Sequence, residues 1–490
     1  MTRGRRLALV LLLLLPAAAS CGDVLFRLGR RFPDSRGALD GIWAGDQFEF
    51  LHRTRLALGR FSLVLVAEKD RGEEWCDLVS AGATFEDSIR NVRATAGWLR
   101  SKLGSGLILS HPSGWSGAPG MEAKPPALAS KLEPASSAGC SDAEPLTGAG
   151  VSFRAGRFSF LAIGASSHID PSGEGLHRTE SELAAEGSVR EDLLGFRTVT
   201  GCWGLGAAAA DDPRGGWSRI GLDFDGRLAG VELRAEAAIG FQGSEMSEAF
   251  WGCIHERLDA VRFCVGVFRH PDDFPSRRSA LPIGMDCDAG AGAAFVWKPG
   301  AGWTAEGSVT SALRREASRG SAELSIEKRM TPAFDMGIRF RGTTRDEEDS
   351  FRLLGSSSWR PAGGVVLSTA VQRTGAGRSS SGTGAEARLK ILLDGELTVR
   401  VAAAGFVTDD YDSRVYFGEL SFPGDFGSVQ QWGEGFYLQA AVACPVGGGS
   451  SISGRMGYLR KGSVESIGEG SDETDGPSRL DATLQFQSVI

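Results

Sequence analysis

The side chains best suited to chemistry are scattered. Two acidic runs, Asp346-Glu347-Glu348-Asp349 and Asp409-Asp410-Tyr411-Asp412, carry enough oxygen atoms to interest a calcium ion. Neither has the glycine-punctuated spacing of a dedicated calcium loop, so both read as solvated loop charge. His255-Glu256 lacks the second histidine that a zinc protease helix needs. Gly204-Leu205-Gly206 fits a dinucleotide loop loosely, but Asp211-Asp212-Pro213 breaks the helix that should follow. In Gly114-Trp115-Ser116-Gly117-Ala118 an alanine stands where a nucleophile elbow needs its last glycine. These residues assign no catalytic, cofactor or metal site, and the chain is not expected to be an enzyme. The eight cysteines include no C-x-x-C pair. Cys253 and Cys264 stand about equally far from a turn expected at Leu258-Asp259, on one strand face. They are candidates for a disulfide in an oxidising compartment, or simply two thiols on a small-residue face.

What carries structure is period-two alternation. From Gln47 to Glu73 the chain reads as a hairpin. Phe48, Phe50, Thr54 and Leu56 share one face, and Glu49, Arg53 and Arg55 the other, with Leu51 the exception. A turn expected at Leu58-Gly59 leads to Phe61, Leu63, Leu65 and Ala67 on the matching apolar face, setting Leu56 opposite Phe61. The phrase Gly59-Arg60-Phe61-Ser62-Leu63 is echoed by Gly156-Arg157-Phe158-Ser159-Phe160. Similar alternation recurs to the C-terminus: Val261, Phe263, Val265 and Val267 against Arg262, Cys264 and Gly266, then Leu480, Ala482, Leu484, Phe486 and Ile490 against Asp481, Thr483, Gln485 and Gln487. The stretch 180–195 reads as a short helix or a strand over 183–194.

Composition agrees. The 490 residues include 68 glycines, about twice the usual share of roughly 7%. Interior glycine disfavours helices by about 1 kcal/mol per residue. Residues 1–20 have the layout of a secretion signal: Arg3, Arg5 and Arg6, an apolar core Leu7–Leu15, and a small-residue exit. Cys21 stands where a lipoprotein signal would place its acylated cysteine, although Ala18 is not the preferred leucine. Removing 1–20 deepens the net charge from −8 to −11. That balance disfavours a dedicated nucleic-acid binder, and no direct nucleic-acid binding is expected.

Short connections with turn chemistry alternate with long polar ones. Strands of about 9–12 residues suit a tilted bilayer crossing. Lipid cannot satisfy backbone donors, so such a sheet must close. The expectation is all-β: one large closed antiparallel transmembrane β-barrel over 21–490, of about 24 strands (roughly 22 to 26), with short periplasmic turns and long extracellular loops. Segment 100–146, rich in Gly, Pro, Ser and Ala, is expected as an extended loop or one folded inward. A soluble sandwich would instead bury the apolar faces between two layers.

Arg53-Thr54-Arg55-Leu56, then Gly59-Arg60-Phe61-Ser62-Leu63, then Ala67-Glu68-Lys69-Asp70-Arg71-Gly72-Glu73, with a later Leu103-Gly104-Ser105-Gly106-Leu107, resembles a group of bacterial outer-membrane barrels that often follow helix-hairpin-helix domains of the DNA-uptake type. The helix-hairpin-helix repeats themselves have no room before residue 47. The resemblance implies an outer-membrane barrel and assigns no role to Glu68, Lys69, Asp70, Gly72 and Glu73. The expected function is an outer-membrane channel or transport scaffold in contact with lipid, with Arg53, Arg55 and Arg262 lining the lumen. A structural or adhesive barrel with an occluded lumen, or a component of a DNA-uptake or secretion apparatus with envelope partners, is the alternative.

Overall fold

The computed structural model describes residues 21–489 apart from 74–77, 105, 111–130, 135–145, 170–177, 186–187, 212, 214, 229, 272, 276–288, 315–316, 346–347, 378, 394–395, 423–426 and 463. The signal segment 1–20, Ser105, much of 100–146, the Asp346-Glu347 part of one acidic run and Ile490 therefore lie outside the described residues. So does the side chain of Cys21, whose backbone begins the first strand.

The chain forms a closed ring of 24 antiparallel strands. Each strand pairs with its sequence neighbour among the wall strands. The ring closes where Cys21–Phe32 meets Ser478–Val489, in register from Asp23 opposite Val489 to Phe32 opposite Leu480. Closure removes the edges that hydrocarbon could not hydrogen-bond.

The alternation decides which face looks outward. On Val261–Arg269, Val265 and Val267 are half exposed while Cys264, Gly266 and Phe268 are buried. On Val189–Thr200, Leu194 is 70% exposed, whereas Leu193 is 1% exposed. Apolar side chains thus cover the outside of the ring. At the short-turn end this surface carries aromatic rings near strand ends: the Phe61–Phe85 and Trp203–Phe224 pairs, with Trp303 and Trp359 farther round. Phe436 and Tyr458 occupy the long-loop end. Aromatic rings near strand ends flank the apolar band of a membrane barrel.

Three sequence expectations need correction. The first hairpin turns at Gly59-Arg60, with Leu58 opposite Phe61 and Leu56 opposite Leu63. Gly59 takes φ +62° and Gly156, in the echoed turn, φ +61°, a region open to glycine without cost. The pairing slips by two residues, which keeps every side chain on its face. Second, the stretch 180–195 holds both a helix and a strand. Helix α1 spans Glu180–Ala185, and the strand begins at Val189. The next turn falls at Gly201-Cys202, where Gly201 has φ +58°. Gly195 lies inside the strand instead, and a Cβ there would stand 2.8 Å from Ile163 Cγ2. Third, the long-loop end is uneven. The strands from Trp303–Arg314 to Ser380–Leu392 run longer than expected. The connections 315–316, 346–347 and 377–379 are correspondingly short.

Candidate functional site

The lumen is the concave surface of this ring. Arg53 and Arg55 lie on its inner face: Arg53 Nη2 donates to Asp23 Oδ2 at 3.4 Å, and Arg55 Nη1 is 4.0 Å from Asp23 Oδ1. Arg262 faces inward opposite Arg257 and Val296. Leu51, the break in the alternation, meets Val64, Val66 and Trp98 in a small inner apolar patch. Cys253 and Cys264 also face inward, buried and as free thiols. The turn falls at Asp259-Ala260, with Asp259 at φ +44°, so Cys253 faces Gly266 and Cys264 faces His255. The two thiols are diagonal neighbours, not directly opposed as a Leu258-Asp259 turn would set them.

Two stretches fold inward. The first follows a break in the wall. Strand Val92–Leu103 pairs with its neighbour 78–87 as far as Gly97 opposite Gly82. Gly97 has φ +102°, and a Cβ there would sit 2.1 Å from Ala81 O; only glycine fits. Beyond it the chain pairs with 131–134 and 109–110. Leu103, Leu107, Ile108 and Leu109 are 0–1% exposed and pack against the inner residues Leu161, Ile163 and Leu193. Phe274, from the connection after Arg269, joins the same cluster.

Arg219, 2% exposed, locks this insert. Its guanidinium lies 3.9 Å from the Trp217 ring centroid. It donates to Ile108 O at 3.0 Å and also to Pro275 O. A second buried group, Arg197, makes a two-point pair with Asp223, Nη2–Oδ1 2.8 Å and Nε–Oδ2 3.1 Å. Gly204 makes room for that carboxylate, since a Cβ there would be 2.4 Å from Asp223 Oδ1.

The second inward stretch is 409–433, which contains the short pair Val415–Gly418 and Ser428–Gln431. Wall side chains grip its backbone. Gln372 donates to Tyr416 O at 2.7 Å and accepts from Tyr416 N at 3.1 Å; Arg388 donates to Gly418 O at 2.7 Å, and Arg400 to Ser421 O at 2.7 Å. Val415 and Phe417 are 0–1% exposed against Phe406 and Tyr437. Long polar connections are expected between strands at this end; an inward-folded one at 409–433 is not. Its signal was there: Val415, Phe417, Leu420 and Phe422 are too apolar for a solvated loop.

The charged motif after the first hairpin lies at the mouth. Glu68 ends the inner face, opposite Leu51. Lys69, 5% exposed, donates to Asp46 Oδ1 at 3.0 Å and Phe48 O at 2.7 Å. Glu73, 1% exposed, accepts from the Asp70 N–H at 2.6 Å. Gly72, at φ +90°, exchanges backbone bonds with Asp46 and Gly45, and a Cβ there would strike Trp43 at 2.6 Å. The motif is a clasp that fastens loop 33–47 over the strand ends. Arg178 extends it, lying 5.3 Å from the Trp43 ring centroid and pairing with Asp472 at 3.0 Å. Partial burial pushes the Asp46 carboxyl up, but the Lys69 ammonium and the Phe48 N–H outweigh that and hold it below its usual range.

No family model and no curated protein matches the sequence. Solved structures do. A cryo-EM structure of an E. coli P pilus tip assembly intermediate, PapC-PapD-PapK-PapG, matches with a TM-score of 0.52 at 10% identity, over 95% of this chain and 60% of that one. The P pilus usher (PapC) translocation pore matches with a TM-score of 0.47 at 9% identity, over 96% of this chain and 100% of that one. The FrpB iron transporter from Neisseria meningitidis matches with a TM-score of 0.45 at 9% identity, over 97% and 83%. These likenesses concern the barrel fold.

Proposed function

We propose that the protein is an outer-membrane β-barrel that passes a small solute through a lumen narrowed by two inward-folded segments. The observation that carries this is the inner wall itself. A ring of 24 strands is too wide for its side chains to fill. The two inserts pack against separate arcs of the wall, through the 103–110 cluster and through Gln372, Arg388 and Arg400. Between those arcs lies the wall of Ala317–Thr331 and Phe334–Arg345, bordered by Arg352, which donates to Tyr416 O of the second insert. The inner face of this wall is polar and partly exposed, as an aqueous path requires. The apolar outer band and the aromatic rings near its strand ends support placement in a bilayer, with the short turns on the periplasmic side. The export signal at 1–20 fits the same location. No catalytic step is part of the proposal.

The buried locks Arg197–Asp223 and Arg219 favour a second reading, a structural barrel whose lumen stays shut. Planar-bilayer recording separates the two. Folded protein, identified by heat-modifiable migration on a gel, is expected to give steps of conductance, larger after deletion of 410–432 from the second insert. A folded band that gives no steps, with or without the deletion, would overturn the channel reading.

A further inference from the structure

We infer that the lumen carries an anion track along the arc from Ala317–Thr331 to Glu348–Ala362, with Arg339 and Arg341 as its principal contacts. The inference deepens the channel reading by naming the class of solute, and part of it rests on that reading. Several inward-facing arginines elsewhere are engaged, although Arg257 and Arg262 also stand directly opposite each other. Arg219, Arg388 and Arg400 hold carbonyls of the inserts, and Arg197 is bound to Asp223. On this arc the arrangement differs. The register sets Arg341 directly between Glu323 on one side and Arg352 on the other. Arg339, one inward position along, reaches the same Glu323 at 3.7 Å and is half exposed. The Glu323 carboxylate therefore has the guanidinium groups of Arg339 and Arg341 beside it and that of Arg352 one strand farther, with Glu327 on the same face toward the short-turn end.

Like charges directly opposed across a strand pair are unfavourable. Here they occur in a chain whose formal net charge is −8. The cost is relieved when a mobile anion visits. Arg352 is turned toward the second insert, 4.9 Å from the Tyr416 ring centroid. Arg339 and Arg341 are left as the pair on the wall between the two inserts, with Arg339 half exposed. Guanidinium groups suit this task because their fixed fork matches carboxylate and oxyanion geometry and their charge does not titrate.

The test is a reversal potential in a potassium chloride gradient across a planar bilayer, together with calorimetric titration of inorganic phosphate into the detergent-folded barrel. The wild type is expected to prefer chloride over potassium and to bind phosphate in the millimolar range or tighter, at about 4 kcal/mol or more. In R339Q/R341Q the permeability ratio should fall several-fold toward unity and phosphate affinity at least threefold, with heat-modifiable migration unchanged. R360Q, at an arginine already bound to Asp335 at 2.6 Å, should change neither. A conducting wild type that prefers potassium, or selectivity indifferent to the double variant, overturns the anion track and leaves the channel reading standing. A folded barrel without conductance that still binds phosphate through these two arginines overturns the channel reading and supports the anion site. Absence of both conductance and phosphate binding overturns both.

Discussion

Replacing Arg219 by methionine should loosen the first insert without releasing it. The guanidinium donates to the carbonyls of Ile108 and Pro275 and stacks on Trp217. Methionine fills much of the same volume but leaves two buried carbonyls without a donor, at about 1–3 kcal/mol each. Relief of the desolvation cost of a buried cation returns part of this. A net loss of about 2–4 kcal/mol is expected. Against it stand Leu107, Ile108 and Leu109, each 0–1% exposed. Burial of each such side chain is worth about 1.5–3 kcal/mol. The apolar seal thus outweighs the lock, and the segment should stay seated most of the time. Local opening becomes more frequent by roughly thirty- to a thousand-fold. Amide exchange in a peptide covering 103–110, followed by mass spectrometry, reads that factor directly, because Leu109 pairs with Leu103 in the closed form. Single-channel conductance should stay within its wild-type range. Unchanged exchange would refute Arg219 as the lock. A large rise in conductance from R219M alone would refute the apolar seal as the stronger restraint.

Three further outcomes follow from the same contacts. Asp223→Ala removes the two-point carboxylate partner of the buried Arg197 cation and should cost about 3–5 kcal/mol, read as a lower urea midpoint of refolding in vesicles; R197M/D223L should recover most of that loss, and equal loss in both variants would contradict the charge argument. Gly97→Val cannot adopt φ +102° and places a Cβ against Ala81 O, so the heat-modifiable band should be lost; a normal band would show that the wall does not depend on the break there. The clasp at the mouth should open in acid. The folded Asp46 carboxyl sits below its ordinary value, so its contribution is complete above the unfolded value of about 3.9 and is lost as pH falls through the lower folded value. Protease cutting within 33–47 should therefore rise only below about pH 4 and should already be raised at neutral pH in Lys69→Met; cutting that rises between pH 5 and 7 would point to another group.

The strand content, the up-and-down pairing and the faces of strands such as 261–267 and 480–490 were legible in the chain, because period-two alternation is a local property that tolerates error in turn position. A slip of two residues at Gly59-Arg60 changed partners and left the faces intact. The helix-then-strand at 180–200 was harder, since a six-residue helix and the start of a strand share a stretch too short for either period to stand out. What no local pattern held was the use of the lumen. The lock at Arg219 joins residues more than fifty positions apart on either side. The pairing of Arg197 with Asp223 depends on a register set by the Gly201 turn. The inward course of 409–433 rests on Gln372, Arg388 and Arg400, three residues on different strands that read, one at a time, as ordinary polar lining. Alternation fixes a direction for each side chain along its own strand. Which carbonyl or carboxylate stands across the lumen is decided only when the ring closes and brings distant strands to face one another.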